Sequence, residues 1–320
     1  MNRRLPRAAS ALLVAASLLG GLSACYVGPS GAAECRPEAR PGNASDAVKA
    51  SGAVLSQPTV SFPTPLLPGT TQASTVIRGE GEPIRGDQYV AGYLSIFNGS
   101  TGELLDQSDY GAGLPSSFVI DRLPIEGLKK GLQCAEVGSR VAVVMPGDEA
   151  FSDENRPAGL TAEDSLVVVV DFKDAYLGRA QGTAQVAQAG MPSVVLAPDG
   201  RPGITVPQAA APEKLRVSTL IAGNGEKVAE GDSVLVNYTG VLWDTGEVFD
   251  SSWENGAPIT IALNEGEAIP GFLSAVTGKR VGDQVLAVIP PDQGYGDQAT
   301  GSIPADSTLV FVIDILGIVE

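Results

Sequence analysis

The chain has 320 residues, about what two domains need, and carries 21 basic against 37 acidic side chains for a formal charge of -16. That balance repels polyanions, so no nucleic-acid partner is expected. Histidine is absent, which removes the commonest general base, the commonest metal ligand and every Ser-His or Cys-His nucleophile pair; no metal-loop spacing stands among the acidic residues and no cofactor is implied.

Arg3, Arg4 and Arg7 precede an apolar stretch over 8–21, too short to span a bilayer as a stable helix, and then Leu22-Ser23-Ala24-Cys25. Residues 1–24 read as a signal segment. Small residues before a cysteine at this distance resemble the bacterial lipobox, where the cysteine, here Cys25, is diacylated and becomes the new N-terminus. An ordinary secretory signal with a chance cysteine is the alternative. The expected place is the bacterial cell envelope, extracytoplasmic, with a lipid anchor to the membrane rather than a span. Lipid on Cys25 leaves Cys35 and Cys134 as an even pair in an oxidising compartment; a bridge and two free thiols both stay open.

Residues 25–50, rich in Gly, Ala, Ser and Pro, read as a flexible tether. Residues 178–212 have few charges and no sustained period and read as an interdomain linker, within which PSVVLA can form a short strand packed on either body. The linker separates a body over 51–177 from one over 213–320. The two bodies look like repeats: 86–108 corresponds to 231–252, 125–151 to 269–295, and 160–172 to 303–315. In the second, β-rich runs over 214–221, 233–242, 258–263, 283–290 and 307–319 are bounded by turn residues. A helix is expected over 269–277, with Pro270 in its first turn, Phe272 and Val276 on one face and Gly278 to stop it. The fold class is α+β: about five antiparallel strands curved as a half-barrel around one short helix.

The stretches VNYTG, GEVFDSS, EAIPGF, VGDQVLAVIPPDQGYG and IPADSTLVFVIDIL resemble, in order and spacing, the FKBP-type peptidyl-prolyl isomerases, the macrolide-binding family, over essentially all of 213–320. The resemblance implies that Tyr238, Phe249, Asp250, Ile269, Phe272, Tyr295, Ile303 and Phe311 line one pocket, with Ala268 beside Ile269. It also implies roles. Phe249, Phe272 and Phe311 grip a proline ring, the Ile269 N–H and the Tyr295 hydroxyl hold substrate carbonyls, and Asp250 orients the tyrosines and faces the twisted carbonyl. The chain departs from the pattern in four places: Phe272 stands where Trp is usual, Ala268 where Val is common, Asn255 where an Arg often pairs the Asp, and a His is missing from the loop after Tyr295. Trp243 reads as structural; Trp253 fits the pocket rim or a loop cover equally.

The implied activity is cis-trans isomerisation of X-Pro bonds in exported proteins by desolvation and twisting, without covalent chemistry. Proline-containing polypeptides and macrolide inhibitors are the expected partners. The alternative is a surface-anchored chaperone or binding module with vestigial activity. In the first body Tyr93 and Asp106 are expected to match Tyr238 and Asp250, while Leu105, Leu128, Phe151 and Val168 replace Phe249, Phe272, Tyr295 and Phe311. That body should keep the fold with little catalysis.

Overall fold

A strand that is apolar at successive positions is stable only where both of its faces are covered. QVLAVI over 284–289 and LVFVIDILGIV over 309–319 are such runs, and both become central strands of one sheet. The computed structural model describes residues 35–319 except 112–114, 153–155, 158 and 187. The expected signal segment, Cys25 and the part of the expected tether up to residue 34 lie outside the described residues.

In chain order α1 (Asn43–Ala47), β1 (Lys49–Ser51) and β2 (Thr59–Ser61) come first. The first body follows with β3 (Gln72–Ile77), β4 (Tyr89–Asn98), β5 (Leu104–Gln107), β6 (Ser116–Val119), α2 (Glu126–Leu132), β7 (Arg140–Met145), α3 (Gly147–Ala150) and β8 (Leu166–Tyr176). Then come β9 (Thr183–Ala184), β10 (Ser193–Leu196) and β11 (Pro202–Thr205). The second body has β12 (Arg216–Ala222), β13 (Ser233–Leu242), β14 (Val248–Ser251), α4 (Ser252–Asn255), β15 (Ile259–Ala262), α5 (Pro270–Val276), β16 (Gln284–Ile289) and β17 (Leu309–Val319).

The two sheets have one topology. The first runs β3-β7-β8-β4-β5 with β6 on β4; the second runs β12-β16-β17-β13-β14 with β15 on β13, and β9 is added outside β12. Their registers correspond: Ile96 faces Asp106 and Val168, as Gly240 faces Asp250 and Phe311. This corrects one expected match. Leu94, not Tyr93, answers Tyr238, and each of the two takes a seryl oxygen on its N–H at 2.9 Å, from Ser108 and Ser252 respectively. A shift of one residue reverses the face, so Tyr93 leaves the pocket side and stacks on Tyr110 with ring centroids 5.0 Å apart.

In the second body one face of the sheet packs Val236, Val285, Ala287, Phe311 and Ile313 against Phe272, Ala275 and Val276 of α5. The helix sits close because position 271 is glycine, where a Cβ would meet Ile289 at 2.3 Å. The opposite face carries Val241, Trp243, Leu286, Val288, Val310 and Val312.

That opposite face corrects the expected linker. Residues 178–212 do not form a free spacer: β10 and β11 pair as a hairpin, and Met191, Val194, Ile204, Val206 and Ala211 cover the exposed back of the sheet. Trp243 seals the contact by donating its Nε1–H to Ala209 O at 3.0 Å. Likewise the expected tether is folded from residue 35 on. Ala44, Val48 and Ala50 lie on the back of the first sheet against Ala142, Val144, Val167 and Val169. Both corrections have one cause. A sheet of this composition leaves a second apolar face, and burying it releases about 25 cal/mol per Å². Cys35 is joined to Cys134 at the end of α2, which fastens this leading segment to the first body.

One acid per body fastens these covering segments. In the first, Asp171 accepts from Leu55 N at 2.7 Å and is paired with fully buried Arg140, whose guanidinium also reaches the carbonyls of Gly52, Ala53 and Ser56. In the second, Asp314 accepts from Ala180 N at 2.8 Å, but the residue in the place of Arg140 is Gln284, which donates at 2.8 Å. Among the described residues no cation is paired with it, and burial pushes the Asp314 carboxyl up to about 6, against the two donors and the nearby Arg179 charge that pull it down.

Candidate functional site

The site begins with a defect in a ladder. Asp250 pairs with Gly240 and Val248 with Val241, so Phe249 is the extra residue of a β-bulge. Bulges re-aim side chains, and here two successive residues turn toward the helix side of the sheet. Phe249 meets Phe311 edge-on with centroids 5.4 Å apart, and Asp250 accepts a hydrogen bond from the Tyr238 hydroxyl. The ring fits because position 240 has no side chain: a Cβ there would lie 2.4 Å from Phe249 Cζ and 3.0 Å from Phe311 Cε1.

Four rings meet in this place. Phe272 and Phe311 stand 5.4 Å apart at 88°, and Tyr238 lies 6.3 Å from Phe272 and 6.0 Å from Phe311. The edge-to-face pairs among them, Phe249–Phe311, Phe272–Phe311 and Tyr238–Phe272, add about 0.5–1.5 kcal/mol each beyond the area they bury. The floor is dry: Tyr238, Phe272, Ile303 and Phe311 are each less than a tenth exposed, while Phe249, Ala268 and Ile269 pack partly buried against them. The rim is open to water, with Asp250 exposed and Tyr295 38% exposed.

The polar groups are placed by their elements. Ile269 is the N-cap residue of α5 with Pro270 next, so its N–H lies ahead of the helix and is not spent on an internal helical bond. The Tyr238 hydroxyl is held protonated well above its ordinary range, first by burial, then by the hydrogen bond to Asp250 and the charge beside it, with a smaller contribution from Tyr295. The structure thus brings together Tyr238, Phe249, Asp250, Phe272 and Phe311 by direct contact, with Ala268, Ile269 and Ile303 in the same cluster. Tyr295 stands at the edge as an exposed side chain. Trp253 is not part of the cluster; its indole lies against the loop at Gly200.

Three supporting residues escaped the sequence reading. Besides Gly240, buried Ser252 donates to Asn237 Oδ1 at 2.9 Å while accepting from Tyr238 N, and Ser251 shares a 2.9 Å hydrogen bond with Thr239. These bonds fasten the chain just after the bulge, at Ser251 and Ser252, to β13. A lone glycine inside a strand marks a bulge or a close approach, and that signal was present in YTG.

The first body lacks the ring box. The bulge persists at Leu105, but Ile96 stands in place of Gly240 and Leu94, Leu128 and Val168 replace the rings. Aliphatic side chains take the ring positions, and Leu94 offers Asp106 no hydroxyl of the kind Tyr238 gives Asp250. Among the described residues, no group of three or more His, Cys, Asp or Glu is placed to hold a metal ion.

Comparison with known proteins bears on the second body. The model of the family described as FKBP-type peptidyl-prolyl cis-trans isomerase matches residues 224–316, which include every residue of the ring box and its rim. A probable FK506-binding protein of Corynebacterium glutamicum is 39% identical over 116 residues, 36% of this chain and 97% of that protein. An FK506-binding protein of Streptomyces anulatus is 34% identical over 120 residues, 37% of this chain and 97% of its own length. The structure of the three FKBP domains of wheat FKBP73 is similar over 78% of this chain and 95% of its own, at 19% identity and a TM-score of 0.35, too weak an overlay to support anything alone. With nearly the whole length of two such relatives spanned, the chain belongs to the FKBP-type peptidyl-prolyl cis-trans isomerase family.

Proposed function

We propose that the ring box of 213–320 isomerises X-Pro bonds of exported polypeptides, and that the chain is a lipoprotein carrying two FKBP-like domains, the first degenerate. Each domain is read as a sheet curved as a half-barrel about its helix. The observation that carries the activity is the contact of four aromatic rings over a dry floor, edged by a Tyr238–Asp250 pair and an N-cap N–H.

The chemistry requires no nucleophile. Rotation about a prolyl bond meets a barrier of about 18–20 kcal/mol because twisting breaks amide resonance. The planar amide is charge-separated and water stabilises it; the twisted form is less polar. A dry aromatic floor therefore disfavours the planar ground state more than the twisted state. A difference of about 4 kcal/mol gives roughly a thousandfold.

Phe249, Phe272 and Phe311 hold the proline ring, with Tyr238, Ile303 and Ala268 closing the floor. The Ile269 N–H and the Tyr295 hydroxyl bind substrate carbonyls. Asp250, fixed by Tyr238, faces the carbonyl as it turns. Macrolides of the FK506 type, named in the relatives, are expected to fill the same floor.

Lipid on Cys25 would set this activity in the cell envelope, where newly exported chains are unfolded.

The test is a protease-coupled assay with a proline tetrapeptide on the intact chain, with and without a macrolide. Acceleration abolished by the macrolide supports the reading; no acceleration at equal enzyme and substrate concentrations refutes it.

A further inference from the structure

The hairpin ahead of the second body makes a surface that the ring box does not use. Val194 and Ile204 turn into the back of the sheet, and the hairpin loop is pinned at Gly200, where a Cβ would lie 3.1 Å from Trp253 Cη2. Between the hairpin and β14 opens a groove of about 450 Å³, walled by Val195, Leu196 and Pro202 on one side and by Val248 and Ser251 on the other, with Arg201 and Glu254 also in its lining. Val195 is 75% exposed, Val248 49% and Leu196 40%. Large aliphatic side chains gathered in one groove mark an interaction surface, where single ones do not. Among the described residues β14 is paired on one side only, with β13, so its outer edge presents backbone N–H and C=O groups along the same groove.

We propose that this groove holds the extended apolar flank of the polypeptide whose prolyl bond lies in the ring box. The proposal rests on the isomerase reading above. The occupant follows from two features. A bare strand edge between aliphatic walls fits an extended chain, which can add as a strand and set alternate side chains into the groove. Groove and box also share one short strand: Phe249 and Asp250 turn to the box, Val248 and Ser251 to the groove. Crossing from one face of a sheet to the other takes on the order of 10 Å, about three extended residues. The preferred substrate is therefore an unfolded protein with aliphatic residues a few positions from its proline, and the hairpin, which precedes the matched 224–316, supplies the preference.

The experiment compares two substrates on the intact chain. One is a proline tetrapeptide, which fills the box only. The other is a reduced and alkylated ribonuclease whose refolding is limited by prolyl isomerisation. Val195→Asp and Leu196→Asp are made on the hairpin, with thermal melts to confirm folding. Tetrapeptide kcat/KM should stay within about twofold in both variants, while KM for the unfolded protein rises roughly tenfold with kcat retained. If the wild type turns over neither substrate, the isomerase reading fails and this proposal with it. If the tetrapeptide is turned over and both variants handle the ribonuclease as the wild type does, the groove proposal alone is overturned. It is equally overturned if the variants raise KM only by dissociating a dimer seen in light scattering, since the groove is then an interface between copies.

Discussion

The ring of Phe249 occupies the space that a side chain on Gly240 would need, within 2.4 Å of the position of its Cβ. The bulge supplies the ring's direction and the glycine supplies its berth. Gly240→Ala should therefore displace Phe249 from Phe311 without straining the backbone, costing about 1–3 kcal/mol of stability by overpacking. Proline-peptide turnover should fall at least about tenfold, because the wall of the box moves. A thermal melt and the peptide assay check both, and an unchanged rate would show that Phe249 does not act from this position.

Tyr238 and Asp250 make the second dependence. Tyr238→Phe keeps the ring and its packing but removes the donor to Asp250. We expect a loss of no more than about 1 kcal/mol, since the carboxylate is exposed and water replaces the bond. Turnover should drop several-fold in kcat with little change in KM, the pattern of a residue that positions another. Equal kinetics in the variant would remove Asp250 from any oriented role.

Much of this was readable in the sequence, for physical reasons that can be named. The helix at Pro270–Val276 was signalled by Pro270 and by Phe272 and Val276 on one face, and the observed element begins and ends within a residue of that reading. The five expected strands of the second body coincide with β12, β13, β15, β16 and β17, because turn residues bound them. Other features were illegible. The covering segments at 35–66 and 178–212 carry weak local periods, and their order comes from an apolar sheet face that no local pattern reveals. The place of Tyr93 is hidden because a match of residue types does not register a one-residue offset, while a ladder does. Ser252 was passed over because a buried serine satisfied by two neighbours looks like any turn serine.

The Arg140–Asp171 pair predicts a large effect in the first body. Arg140→Gln, which copies the second body, leaves a buried carboxylate without its cation and frees four carbonyls of the covering segment, those of Ser51, Gly52, Ala53 and Ser56. Removing one partner of a buried pair costs about 3–5 kcal/mol. Chemical denaturation should show that loss, and limited proteolysis should cut near 51–56 in the variant before any other site. A variant as stable and as resistant as the wild type would mean that the segment is held by its apolar contacts alone.

Asp314 predicts a pH dependence of the opposite kind from a salt-bridged acid. Its carboxyl is raised from an ordinary 3.8 to about 6, so in that window the folded chain binds a proton that the unfolded chain has released. The contribution of Asp314 to stability is therefore greatest below about 4, falls as the pH rises to about 6, and is level above. The total change is on the order of 3 kcal/mol. Asp314→Asn should lose this component and be more stable than the wild type at pH 7, the gap closing as the pH falls to about 4. The comparison of the two chains between pH 4 and 7 isolates this residue from the other acids. A parallel pair of curves would contradict it.

The central claim is that a dry box of rings lets a prolyl bond turn. The most direct measurement is the protease-coupled tetrapeptide assay on the intact chain and on Phe249→Ala, each with its melting curve. The account predicts acceleration by the wild type, a return to the uncatalysed rate in the variant, and a folded variant. A folded Phe249→Ala chain that isomerises the peptide as fast as the wild type would contradict it.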